Sequence, residues 1–253
     1  MDPNFRQQFI DRWNRYFPGA ELPLAFFYTN QKDAAEPLPP PPEWRCFVCD
    51  LKKVRNGKSL LFDVSALACN GAKRYLGFDS SPRENFDYFL SCGIEGELEG
   101  ERYKKTPELV NRIYEGLPPL KAPARYVVFK RFDRLADEDN PVVVAFFATS
   151  DVIAGLFTLA NFDEPTPHGV IAPFGAGCAQ IAFWPQYEEQ QGHPKGVLGL
   201  FDISARPCVT GDLLTFSVPW GKFVTMVNNM DESFLTRGQW NIVRKRIARR
   251  AQR

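Results

Sequence analysis

Two rhythms of apolar residues run through this chain. Near the start, Phe5, Phe9, Trp13 and Tyr16/Phe17 recur at steps of three and four. That spacing predicts an amphipathic helix over residues 4–17, ended by Pro18-Gly19. Elsewhere the apolar residues come in short unbroken runs bounded by turn residues, the mark of buried strands. Such runs are Leu22–Thr29, Ser59–Val64, Ala124–Phe132, Val142–Thr149, Gly196–Ser204 and Leu213–Val218. Further helices are predicted at Ala72–Leu76, from Thr106-Pro107 to Tyr114, from a Ser150-Asp151 cap to Leu159, at Lys222–Met230, and from Glu232 into a basic tail. Cys178–Phe183 reads equally as a helix or a strand. The interleaving predicts an α+β (mixed α/β) protein.

Two of the strand runs have echoes. Ala25-Phe26-Phe27-Tyr28-Thr29 matches Ala145-Phe146-Phe147-Ala148-Thr149. Leu61-Phe62-Asp63-Val64-Ser65-Ala66 matches Leu200-Phe201-Asp202-Ile203-Ser204-Ala205, and Cys69 and Cys208 then fall in one register. This predicts two related α/β halves packed as one domain. They would be residues 1–120, with a cysteine-rich segment, and residues 121–253, a diverged repeat in which Cys208 is a relic of symmetry rather than a ligand.

Composition adds bounds. The chain has 253 residues, is 44% hydrophobic and uses phenylalanine 22 times, enough for a large aromatic core. A net charge of +1 gives no case for nucleic acid or for an acidic membrane surface. The longest apolar run, Val142–Ala160, is broken by Thr149, Ser150 and Asp151, so no membrane span is expected. The N-terminus is polar from Asp2 onward and reads as no secretory signal, which predicts a cytoplasmic protein with reduced thiols.

Against that background the cysteines stand out. Cys46, Cys49, Cys69 and Cys92 are spaced C-x2-C-x19-C-x22-C after a proline-rich spacer at Glu36–Trp44, and Cys178 lies downstream in the turn Phe174-Gly175-Ala176-Gly177-Cys178. One CxxC followed by scattered single cysteines fits dispersed ligation of an iron–sulfur cluster, a 4Fe-4S centre, better than zinc. His168 and His193 have no partner at ligand spacing. The expected metal ligands are Cys46, Cys49, Cys69, Cys92 and Cys178. Gly71, Gly93, Gly175 and Gly177 would let backbone N–H groups approach the cluster. The expected role is electron transfer with a redox partner, or support of a small-molecule site beside the cluster. Two alternatives stay open. One is a module holding a small anionic metabolite, with structural zinc or no metal, near the cations Lys52, Lys53, Arg55, Lys58, Lys73 and Arg74. The other is a thiol enzyme using Cys178, which lacks a histidine base at recognisable spacing. No phosphate loop, dinucleotide fingerprint or catalytic carboxylate pair is present.

The stretch Leu61–Phe78, with Pro173–Cys178, resembles the ArCR family, domain of unknown function 169. The resemblance rests on Cys69, Gly71, Leu76 and Gly77 and on the pair Gly177-Cys178, and it spans most of the chain. It implies functional roles for Cys69 and Cys178 and an oxygen-poor, anaerobic setting. It implies no reaction, and it does not extend to the CxxC of Cys46 and Cys49.

Overall fold

In a computed structural model of the chain, residues 1–79 and 81–252 are described. In order, the elements are α1 (Pro3–Tyr16), β1 (Leu24–Thr29), β2 (Glu36–Pro37), α2 (Phe47–Arg55), β3 (Leu60–Phe62), α3 (Asn70–Tyr75), α4 (Phe86–Leu90), α5 (Pro107–Glu115), β4 (Tyr126–Arg131), β5 (Val143–Ala148), α6 (Ser150–Ala160) and β6 (Val170–Ile171). A buried π-helical turn (Ala179–Phe183) runs into α7 (Trp184–Glu188). β7 (Gly196–Gly199), β8 (Leu214–Pro219), α8 (Trp220–Asn229) and α9 (Gly238–Arg250) complete the chain. α1 starts where predicted because Asp2 accepts a hydrogen bond from the Asn4 N–H at 2.9 Å and Pro3 occupies the first turn. Its Phe9, Trp13 and Tyr16 form the buried stripe.

All eight strands join one sheet in the order β2-β3-β4-β1-β5-β8-β7-β6. β5 is buried at every residue and β1 at four of six. Strands apolar on both faces belong at a sheet centre, with helices above and below. One face carries α1, α6, α8 and α9 around Trp13, Phe146, Phe216 and Phe223. The other carries α2, α3 and the π-helical turn around Phe26, Phe47, Phe62 and Phe129. At the rims, β2 and β6 are two residues long, which limits edge-to-edge pairing.

The strand order reads alike from both ends. β1 pairs antiparallel with β5 at the middle; β4 and β8 flank them antiparallel; then come β3 and β7, also antiparallel; β2 and β6 close the rims in parallel. The sheet therefore divides between β1 and β5, and β4 lies on the side of the N-terminal strands.

The sequence echoes do not all superpose on this symmetry. A two-fold through the β1–β5 pair preserves faces, yet Ala25 packs on one face and Ala145 on the other. The spatial counterpart of Leu24–Thr29 is Val143–Ala148, one residue out of the sequence match, and a one-residue shift flips every side chain. The second echo is a turn more than a strand. Leu61 and Phe62 end β3, whereas β7 stops at Gly199 and Leu200 takes φ +68°. Asp63 and Asp202 then fold alike: the Oδ1 of each accepts both the N–H and the Oγ–H of the serine two residues on. Two helix starts also differ from expectation. Thr149, not Ser150-Asp151, is the N-cap of α6, and α9 begins only at Gly238 after a short 3-10 turn. Arg253, at the end of the basic tail, lies outside the described residues.

Trp13 is the centre of the larger core, stacked on Phe17 at 4.4 Å and tilted against Phe146 at 5.0 Å. Trp13→Ala should lower unfolding free energy by about 3–5 kcal/mol in denaturant titration. Exposed Ile242→Ala, on α9, should change it by less than about 0.5 kcal/mol.

Candidate functional site: a cysteine seam between the two halves

α2 forms because Phe47, Val48, Leu51 and Val54 bury one stripe against the sheet. Cys46 is its N-cap residue and Cys49 sits one turn in, on the same side. Asp50, buried beside them, bonds the Arg45 guanidinium at 2.9 Å. Burial nonetheless lifts the Asp50 carboxyl above its usual range.

Cys69 is the N-cap residue of α3, whose Ala72 and Tyr75 are buried. Cys178 precedes the π-helical turn, all five residues of which are buried. Tight packing sets its position. A Cβ on Gly177 would come within 3.3 Å of the Leu200 and Ala205 side chains, and the Gly177 N–H donates to Asp202 Oδ2 at 3.0 Å. π-helical turns are rare and recur at functional sites.

The fold brings these residues together across the seam. Cys49 and Cys208 form a disulfide, with Cα atoms 4.6 Å apart and 159 residues between them in sequence. The Cys69 and Cys178 sulfurs both flank Gly71: a Cβ there would lie 3.5 Å from one and 3.7 Å from the other. Burial pushes the Cys178 thiol well up, and the neighbouring Cys69, Cys46 and Asp202 push it further. Cys46 is raised too, first by burial and then by Cys69 and Asp202, against partial relief from backbone N–H groups. Five of the six cysteines thus meet on one face of the sheet.

Phenols line the rest. Tyr75 and Tyr114 lie in electrostatic reach of each other and of Cys178, and burial raises both. The Arg74 guanidinium stacks 4.4 Å from the Tyr114 ring centre. A strap from the N-terminal side reaches over the C-terminal turn. Lys104 lies 3.9 Å from the Phe174 ring centre, and Tyr103 interacts with Ser204.

The fold does not bring all the expected residues together. Cys49 is not free, since it is bonded to Cys208, and Cys208 is therefore a working partner rather than a relic. Cys92 is exposed, in a hairpin closed by the Ile94–Leu98 bridge, and its thiol meets its neighbour's carbonyl, Gly93 O, at 3.4 Å. Gly93 has φ +75° and packs against Gly100, so its role is the turn. A Cβ on Gly175 would meet only the Ala179 side chain, at 3.9 Å, and Gly177 serves helix–turn packing. Of the four glycines, Gly71 is the one at which an added Cβ would meet the Cys69 and Cys178 sulfurs. Among the described residues, no three His, Cys, Asp or Glu side chains already stand in metal-binding geometry. Two of the predicted cations are engaged elsewhere, Arg55 with Glu21 and Lys58 with Glu36, while Lys53 lies 3.9 Å from Asp50. Sequence reasoning missed Tyr75, Tyr114 and Asp202. Only Asp202 had left a signal, in the repeated Leu-Phe-Asp turn.

Fold and site define a class of protein: a single mixed sheet whose two halves meet at a cysteine-lined seam. The chain belongs to the uncharacterised ArCR family, domain of unknown function 169, which it matches over residues 20–229. That span holds every strand and all six cysteines. No curated protein and no solved structure matches the chain. None of the described helices is long and apolar enough to cross a membrane.

Thiolate, not thiol, reacts with alkylating agents. A raised thiol pKa therefore means slow labelling at neutral pH that quickens as pH rises. With iodoacetamide and peptide mass spectrometry, exposed Cys92 should label first and Cys178 last. Cys46 should speed up as pH is taken above the ordinary thiol range. Fast neutral labelling of Cys178 would contradict the burial that defines the seam.

Proposed function

We propose that this chain binds an iron–sulfur cluster, of 4Fe-4S type, at the seam, for electron transfer or to support a small-molecule site beside it. The observation that carries the reading is the gathering of Cys46, Cys69 and Cys178 in mutual electrostatic reach, with two of their sulfurs flanking Gly71. Three soft donors, one buried and two half-buried, suit a thiophilic centre. The fourth thiolate comes from the Cys49–Cys208 pair once reduced, and Cys92 takes no part. Burial and neighbouring negative charge hold the Cys46 and Cys178 thiols protonated, and a bound cationic centre offsets that cost. Gly71 keeps the space between two sulfurs clear.

The test is purification and reconstitution without oxygen under a thiol reductant, followed by the visible spectrum and assays of iron, sulfide and zinc. Cys69→Ala and Cys178→Ala should each abolish the chromophore, and Cys92→Ala should keep it. Gly71→Ala gains helix propensity of about 0.5–1 kcal/mol. Its methyl would stand in ordinary contact with both sulfurs, in the space a cluster needs between them, so cluster content should fall at least twofold while the fold survives. A colourless, iron-free protein after reconstitution overturns the reading. Zinc in place of iron moves the site to a structural metal.

A further inference from the structure

The seam has its own two-fold logic. In each half, the short parallel rim strand leads to a helical segment with a cysteine in its first turn: Cys49 in α2 and Cys178 just ahead of the π-helical turn. In each half, the Leu-Phe-Asp turn leads to a second cysteine: Cys69 and Cys208. Across the seam, the helical cysteine Cys49 of the first half is bonded to the turn cysteine Cys208 of the second. In the opposite sense, the helical cysteine Cys178 of the second half and the turn cysteine Cys69 of the first both have their sulfurs beside Gly71. We infer that Cys69 and Cys178 are a second cross-half dithiol, the counterpart of Cys49–Cys208, which closes to a disulfide by exchange with a small-molecule disulfide.

The inference goes beyond the cluster, because it concerns the metal-free protein. The exchange balances in two steps. Cys69, the more accessible of the two, attacks the small disulfide as thiolate; one sulfur joins Cys69 and the other leaves as a thiolate. Cys178 then loses its proton to solvent and attacks the Cys69 sulfur of the mixed disulfide, expelling the second small thiolate. Two protein thiols are oxidised, and one small disulfide is reduced to two thiols. Cys46 is the competing thiol within reach, and Cys92 is an exposed bystander.

Full-length, metal-free protein is reduced, freed of reductant, and exposed to oxidised glutathione without oxygen. Non-reducing peptide mapping then reads the linkages. The expected products are Cys49–Cys208 and Cys69–Cys178, leaving Cys46 and Cys92 as the unlinked cysteines. In Cys178→Ser, Cys69 should accumulate as its glutathione adduct. The inference is overturned by a Cys46–Cys69 link, or by Cys69 and Cys178 both staying unlinked in the wild-type protein while Cys49–Cys208 closes. If Cys178→Ser does not fold, the wild-type map decides alone. The map is independent of the iron assay, so either reading can fail without the other.

Discussion

The antiparallel pairing of β1 with β5 is the contact on which the rest of this structure depends. Leu24 faces Ala145, Ala25 faces Val144 and Phe26 faces Val143 across it. Both strands are apolar on both faces, so neither can lie at a rim. Once they meet at the centre, antiparallel, the remaining strands are laid outward in matching order on the two sides. The helical segments following β2 and β6 then fall on one face, and their cysteine-bearing starts approach the turns of the opposite half.

That placement decides the chemistry of the thiols. The seam is packed by Leu200, Ala205, Val48 and the π-helical turn, which leaves little water around Cys178. Asp202, tied down by the Gly177 N–H, adds negative charge nearby. Buried thiols beside a carboxylate stay protonated and unreactive. Two events relieve this: binding a cationic centre, or losing the proton in forming a disulfide. Cys49 and Cys208 have taken the second course. Tyr75 and Tyr114, both raised by burial, stand beside Cys178.

Much of the fold was legible in the sequence. The helix stripe of Phe9, Trp13 and Tyr16 and the buried run at Val143–Ala148 are periodicity signals, and periodicity survives into structure because burial enforces it. The repeated Leu-Phe-Asp turn was legible as a likeness but misread as strand. Leu200 leaves the extended region at φ +68°, a choice that its bond to buried Gln180 makes and that local sequence does not reveal. The Ala-Phe-Phe echo was misleading by one residue, since apolar strands reuse the same side chains and only cross-strand pairing fixes which face each takes.

The sequence by itself singled out the cysteines, placed Cys69 and Cys208 in one register, and offered no histidine at ligand spacing. Only the tertiary structure decided which cysteines meet. Cys92 lies closer in sequence to Cys69 than Cys178 does, yet it stands apart on an exposed hairpin. Cys178 and Cys208 come from the far half, and each lands beside a cysteine of the first. The reason is geometric. Proximity across the seam is set by strand order in the sheet, and strand order follows from which strands can be buried on both faces, a property of the packed whole and of no single stretch of the chain.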